Sequence, residues 1–181
     1  MGNLITTRMG TALLILGAVL VGVAIALDGS VANAINGAGG ALWFASAAIL
    51  LTVAIRAQPP RQMWATLVVL TLTVAFIVKP ADWVLALAGF IPTGLVIGMI
   101  AARHRILWAA LIAAWYLPAH IGTAVMKSAV RAAMGDEAPL RTDPPPTAAI
   151  VPLVIVLSAL AGGYLAVWWA ERRHSVFIGE G

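Results

Sequence analysis

Six apolar stretches, at roughly 9–27, 39–55, 63–78, 84–102, 106–126 and 148–170, take up most of the 181 residues. Runs of about 17 to 25 apolar residues are what an α-helix needs to cross the ~30 Å hydrocarbon core of a bilayer, where backbone polar groups must be satisfied within the segment. The pattern predicts an all-α, polytopic membrane protein with six transmembrane helices. A chain that is 62% hydrophobic and 10% charged, with a mean hydropathy of +0.99, has too few polar residues to cover a soluble surface. Spans and short connections leave no room for a soluble unit, so residues 1–181 read as a single transmembrane domain. The stretch Met63–Val78 is short and is the first candidate for a segment that does not cross fully; the Gly-rich region before Leu42 is the second. Read instead as a signal peptide, with Ala32-Asn33-Ala34 as cleavage site, the first stretch is longer than usual and sits well before the cut.

Orientation follows from the basic residues, because short loops rich in Lys and Arg stay on the cytoplasmic side. With six crossings, Arg8, Arg56, Arg61, Arg103, Arg105, Arg172 and Arg173 fall on one side. Lys79, Lys127, Arg131 and Arg141 fall on the other, with Asp28, Asp82, Asp136, Glu137 and Asp143. Both termini are therefore expected in the cytoplasm, and the expected location is a multi-pass position in a prokaryotic plasma membrane. The same distribution explains the pI near 10.4 without nucleic acid. The chain has no cysteine, which excludes disulfides, thiolate metal sites and a cysteine nucleophile.

The fifth stretch carries a polar seam. At 100° per residue, Tyr116, His120, Thr123, Lys127 and Arg131 lie within an arc of about 80°, while Trp108, Trp115 and Pro118 point elsewhere. Ionisable groups at membrane depth face a bundle interior, water or a partner. The seam is thus the candidate substrate-binding site, with His120 its buried ionisable group and Lys127 and Arg131 at the outer boundary, where long side chains snorkel. Asp82, on the same side, is a candidate partner for either cation. Trp115, beside Tyr116 and about one turn from His120, is a further candidate contact. A neutral histidine satisfied by a nearby hydroxyl or carbonyl is the structural alternative. Beyond Lys127 the helix is expected to continue, with Met126, Val130 and Met134 on one apolar face, to a C-cap at Gly135. The proline-rich segment Asp136–Pro146 reads as a spacer to the last span, or as a lid.

Three faces of small residues predict close helix packing: Ala18, Gly22 and Ala26 on the first span, Gly94, Gly98 and Ala102 on the fourth, and Ser158, Gly162 and Ala166 on the sixth. Pro92, Pro118 and Pro152 lie within spans and are expected to kink them. Trp43, Trp64, Trp83, Trp108, Trp168 and Trp169 fall near span ends, where indoles settle at membrane interfaces. The Gly-rich segment Asp28–Gly40 reads as an outer loop whose Gly37–Gly40 run opens a helix; it lacks the lysine and spacing of a P-loop.

No HExxH, GxSxG or intramembrane carboxylate pair is present, and His104, His120 and His174 are assigned to different depths, so the sequence argues against an enzyme and predicts no cofactor or metal. Two classes of function remain. In the first, the helices surround a small outward cavity that binds or transports a small solute, as the membrane-embedded subunit of a larger transporter. The size and six-span, both-ends-inside layout are similar to the substrate-binding subunits of energy-coupling-factor vitamin transporters. The face Ala18, Gly22 and Ala26 resembles the alanine-containing docking helix of that family; the likeness is one of layout and includes no vitamin-binding motif. In the second, the chain is a non-catalytic scaffold or accessory subunit whose seam contacts another membrane protein or a second copy. Rod-shape morphogenesis subunits have a comparable size and span count.

Overall fold

A computed structural model describes residues 2–27, 29–78, 82–101, 103–133 and 146–178. Six helices run α1 Gly2–Ala26, α2 Gly29–Arg56, α3 Arg61–Ile77, α4 Trp83–Ile100, α5 Arg105–Ala133 and α6 Val151–Ile178, the last preceded by a 3₁₀ turn at Pro146–Ile150. Five of them are long and apolar enough to cross a membrane; α3, with 17 residues, spans only about 25 Å at 1.5 Å per residue. The outside of the bundle is apolar, with Val69, Phe76 and Val84 among its exposed side chains. An apolar exterior is compatible with an integral membrane protein.

The punctuation between helices is set by local chemistry. α2 stops before Pro59-Pro60, and Gln58 takes a left-handed turn at φ 46°. Asp82 caps α4, its Oδ1 accepting from the Leu85 amide at 3.0 Å. The α4–α5 corner is made by His104 at φ 59°. Pro152 lies in the first turn of α6, where its missing N–H is an orphan in any case, so it does not act as the expected interior break.

The expected outer loop at 28–40 is corrected: α2 already begins at Gly29. Of its glycines, Gly39 serves packing against α1. A Cβ at Gly17 would lie 2.9 Å from the Gly39 carbonyl oxygen, and one at Gly39 would lie 2.8 Å from the Val21 amide. Backbone-to-backbone approach of α1 and α2 therefore fixes this segment as helix. Ala32–Ala34, the alternative cleavage site, is likewise inside α2, with Ala32 buried.

α4 and α6 form the second close pair. Gly94 lies against the Ala159 carbonyl, and Gly162 against the Ile91 carbonyl, leaving no space for a Cβ on either. The expected faces Gly94–Gly98 and Ser158–Gly162–Ala166 thus meet each other; Ala102 lies outside the described residues. On α1, Ala18 is fully buried and Gly22 packs against the Ala149 carbonyl, whereas Ala26 is exposed. Most of that face is consumed within the chain.

Between the two pairs lies α5, which touches every other helix. Leu107 through Ala114 are all buried. A helix expected to show lipid all faces but one is surrounded here, because Ala109, Ala110, Ala113 and Ala114 keep its cross-section small. Pro118 removes the donor that would have bonded the Ala114 carbonyl four residues back. The Trp43 indole of α2 supplies it: Nε1 donates to that oxygen at 3.0 Å. Trp43 and Trp108, expected at interfaces, are thus in the core at 1% and 3% exposure, whereas Trp83, Trp168 and Trp169 are exposed.

Trp43→Phe is expected to cost about 1–3 kcal/mol, the penalty for an orphaned buried carbonyl. Combined with Pro118→Ala, which restores the intrahelical donor, the loss should shrink. Thermal unfolding of the single and double variants in detergent measures the coupling.

Candidate functional site

The first half of α5 has no free face, so its polar residues meet protein. Tyr116 is 5% exposed, stacked on half-buried His120 with ring centroids 5.6 Å apart and planes 16° from parallel. The edge contact of Phe90 from α4, at 5.4 Å and 79°, closes the other side. Beside the two rings is a cavity of about 120 Å³, bounded by Val21 and Ile25 of α1, Trp43 of α2, Leu117 of α5, and Val151, Pro152 and Ile155 of α6. The Tyr116 hydroxyl is buried and has no hydrogen-bond partner among the described residues. An apolar chamber walled by the Tyr116 and His120 rings can hold a small apolar molecule.

Of the remaining seam residues, Arg131 is exposed and does not line this chamber. α5 continues as one helix through Pro118 to Ala133, which keeps Thr123, Lys127 and Arg131 on the same face as His120; the side chains of Thr123 and Lys127 lie outside the described residues. From Ile121 onward the helix leaves the bundle: Ile121, Val125, Met126 and Val130 are exposed, as is Arg131. Asp82 is engaged by the amide end of α4. Met134, Gly135 and the proline-rich segment to Pro145 lie outside the described residues.

Trp115 is on a different side of α5. With Pro118 and Ala119 it lines a groove of about 390 Å³ against Leu51 of α2 and Trp64, Leu67, Val68, Thr71 and Leu72 of α3. Sequence adjacency to Tyr116 thus separates the two residues, since neighbours differ by about 100° around a helix. The Trp64 ring meets Trp108 edge-on at 5.3 Å and 72° below this groove.

A third depression, of about 440 Å³, lies where the start of α1, the start of α5 and the end of α6 meet, lined by Thr7, His104, Arg105 and Glu171. Arg105 ties this end together, donating from Nε to the Ala101 carbonyl at 3.2 Å and from Nη1 to the Ala166 carbonyl at 3.0 Å. Arg172 lies over the Trp168 ring at 4.1 Å. Among the described residues no three His, Asp or Glu side chains gather closely enough to hold a metal ion.

Sequence reading missed Trp43 as a wall of the chamber. The available signal was Pro118, which implied a donor for Ala114 from another helix. Comparison of the chain with protein-family models, with characterised proteins and with solved structures finds no match.

Tyr116→Phe removes a buried hydroxyl that has no protein partner. In solute-free protein it should leave the Tm unchanged or raise it, by an amount equivalent to about 1–2 kcal/mol. A fall in the Tm would reveal a partner that the hydroxyl needs.

Proposed function

We propose that the chain is a six-crossing integral membrane protein of a prokaryotic plasma membrane, with both termini in the cytoplasm, that binds or transports a small solute in the chamber beside Tyr116 and His120. The observation that carries this reading is the apolar cavity itself, walled by the stacked Tyr116 and His120 rings and by α1, α2 and α6. A volume of 120 Å³ is on the scale of the ~150 Å³ apolar cavity that admits benzene, so the solute, or the part of it that enters, is small. The Tyr116 and His120 rings form one wall of its site. Lys127 and Arg131, further along the same face, draw an anionic group from the outer side. Packing of α3 along α5 supports its crossing despite its length, since the bilayer thins locally around a short span.

The accessory-subunit reading has one observation in its favour. The last three turns of α5 stand clear of the bundle and expose Val125, Met126 and Val130, a face suited to another membrane protein.

Mass spectrometry of protein purified in mild detergent separates the two. A stoichiometric small molecule, lost in His120→Ala and Lys127→Ala, is the expected result; a stable protein partner with no released ligand favours the accessory role. The orientation is tested in the natural cysteine-free background. A membrane-impermeant maleimide added to whole cells should label Ser30→Cys and should label Gln62→Cys only after lysis. The opposite pattern reverses the topology.

A further inference from the structure

The depression of about 440 Å³ at the meeting of α1, α5 and α6 takes no part in the Tyr116 chamber, and it brings opposite charges to one surface. Arg105 and the exposed His104 line it from the start of α5, and the exposed Glu171 lines it from α6. Among the described residues Arg105 and Glu171 form no ion pair with each other; the guanidinium bonds the Ala101 and Ala166 carbonyls instead. Those bonds use two of its five N–H groups, and the His104 ring offers a further N–H. The rest of the wall is largely apolar, with Leu4 of α1, Ile106 of α5 and Val167 of α6.

Neighbours on α6 give the level of this depression. Trp168 and Trp169 are exposed within three residues of Glu171, about 5 Å or less along the helix at 1.5 Å per residue, and Arg172 lies over Trp168 at 4.1 Å. Exposed indoles with a cation beside them settle at the headgroup layer of a bilayer. An occupant must also satisfy both charges, since Glu171 repels a simple anion and Arg105 a simple cation. A group carrying both signs meets each with its opposite, and phosphate oxygens accept well from guanidinium and imidazole N–H groups. The apolar wall adds a second requirement: a free zwitterion leaves Leu4, Ile106 and Val167 uncovered, whereas an amphiphile lays an acyl chain against them. Glu171 selects the form of the cation. A carboxylate accepts N–H donors, which a primary ammonium has and a quaternary one lacks; quaternary groups are held by aromatic cages, and among the described residues no Trp, Tyr or Phe lines the depression. We propose that the depression binds the headgroup of phosphatidylethanolamine, its phosphate on Arg105 and His104 and its ammonium on Glu171. This site lies at the opposite end of α5 from Arg131 and is independent of the solute chamber.

The test is native mass spectrometry of detergent-purified full-length protein titrated with dioctanoyl phosphatidylethanolamine, phosphatidylcholine and phosphatidylglycerol, and with glycerophosphoethanolamine, which has the headgroup and no acyl chains. Saturable binding of phosphatidylethanolamine is expected, with the other three probes about 10-fold weaker or worse. Glu171→Gln should weaken phosphatidylethanolamine binding about 5- to 10-fold, the loss of one charged contact at a wet surface. Glu171→Lys should reverse the order, so that phosphatidylglycerol binds more tightly. Arg56→Gln removes an exposed cation from the same end of the bundle, outside the depression, and should change neither. Size-exclusion elution and circular dichroism confirm that the variants are folded. Equal binding of the three lipids, a preference of the natural protein for phosphatidylglycerol, or phosphatidylethanolamine binding indifferent to Glu171→Gln overturns the proposal. Glycerophosphoethanolamine binding as tightly as the lipid also overturns it and assigns the depression to a free solute.

Discussion

The arrangement depends on a carbonyl that its own helix cannot satisfy. Pro118 takes away the donor for Ala114, and in an apolar interior an unmade hydrogen bond to a backbone oxygen costs far more than in water. The indole of Trp43 makes that bond, which pins α2 against α5 at one height and one rotation. It also brings Trp43 into the wall of the chamber beside Tyr116. A proline that would read as a kink is thus a docking point, and helix α5 is held at the centre.

Around it, cohesion comes from backbone proximity. Apolar surroundings provide little drive for apolar helices to associate, so van der Waals contact at close range must contribute. The glycines at 17 and 39, and those at 94 and 162, let α1 meet α2 and α4 meet α6 with no Cβ between them. Ser46 adds one polar stitch, donating to the Gly10 carbonyl at 2.8 Å.

Because α5 is surrounded, consecutive residues on it serve different neighbours. Tyr116 looks toward α1, α4 and α6, and Trp115 toward α3. Each meets a cavity, and at each a polar atom is left without a protein partner among the described residues. Elsewhere in the bundle the hydroxyls of Thr11, Thr52, Thr66, Thr73 and Thr93 bond back to their own helices. The polar groups left over are concentrated on the two sides of α5 where space remains.

Hydropathy period and proline position alone determined the all-helical class, the approximate boundaries of the helices and the small-residue faces, because these are consequences of local geometry that a residue carries wherever it sits. The alignment of Tyr116 and His120 was legible for the same reason. What only tertiary structure decided is which face meets which. The segment 28–40, rich in Gly, Ala and Asn, read as an outer loop; helix begins already at Gly29, and Gly39 packs against α1. Trp43 and Trp108 read as interfacial indoles, yet a hydrogen bond and a ring contact draw them into the core. Trp115 read as a neighbour of the seam; the groove along α3 takes it instead. A one-dimensional pattern gives the angle of a side chain around its own helix, and the identity of what it meets depends on helices distant in the chain.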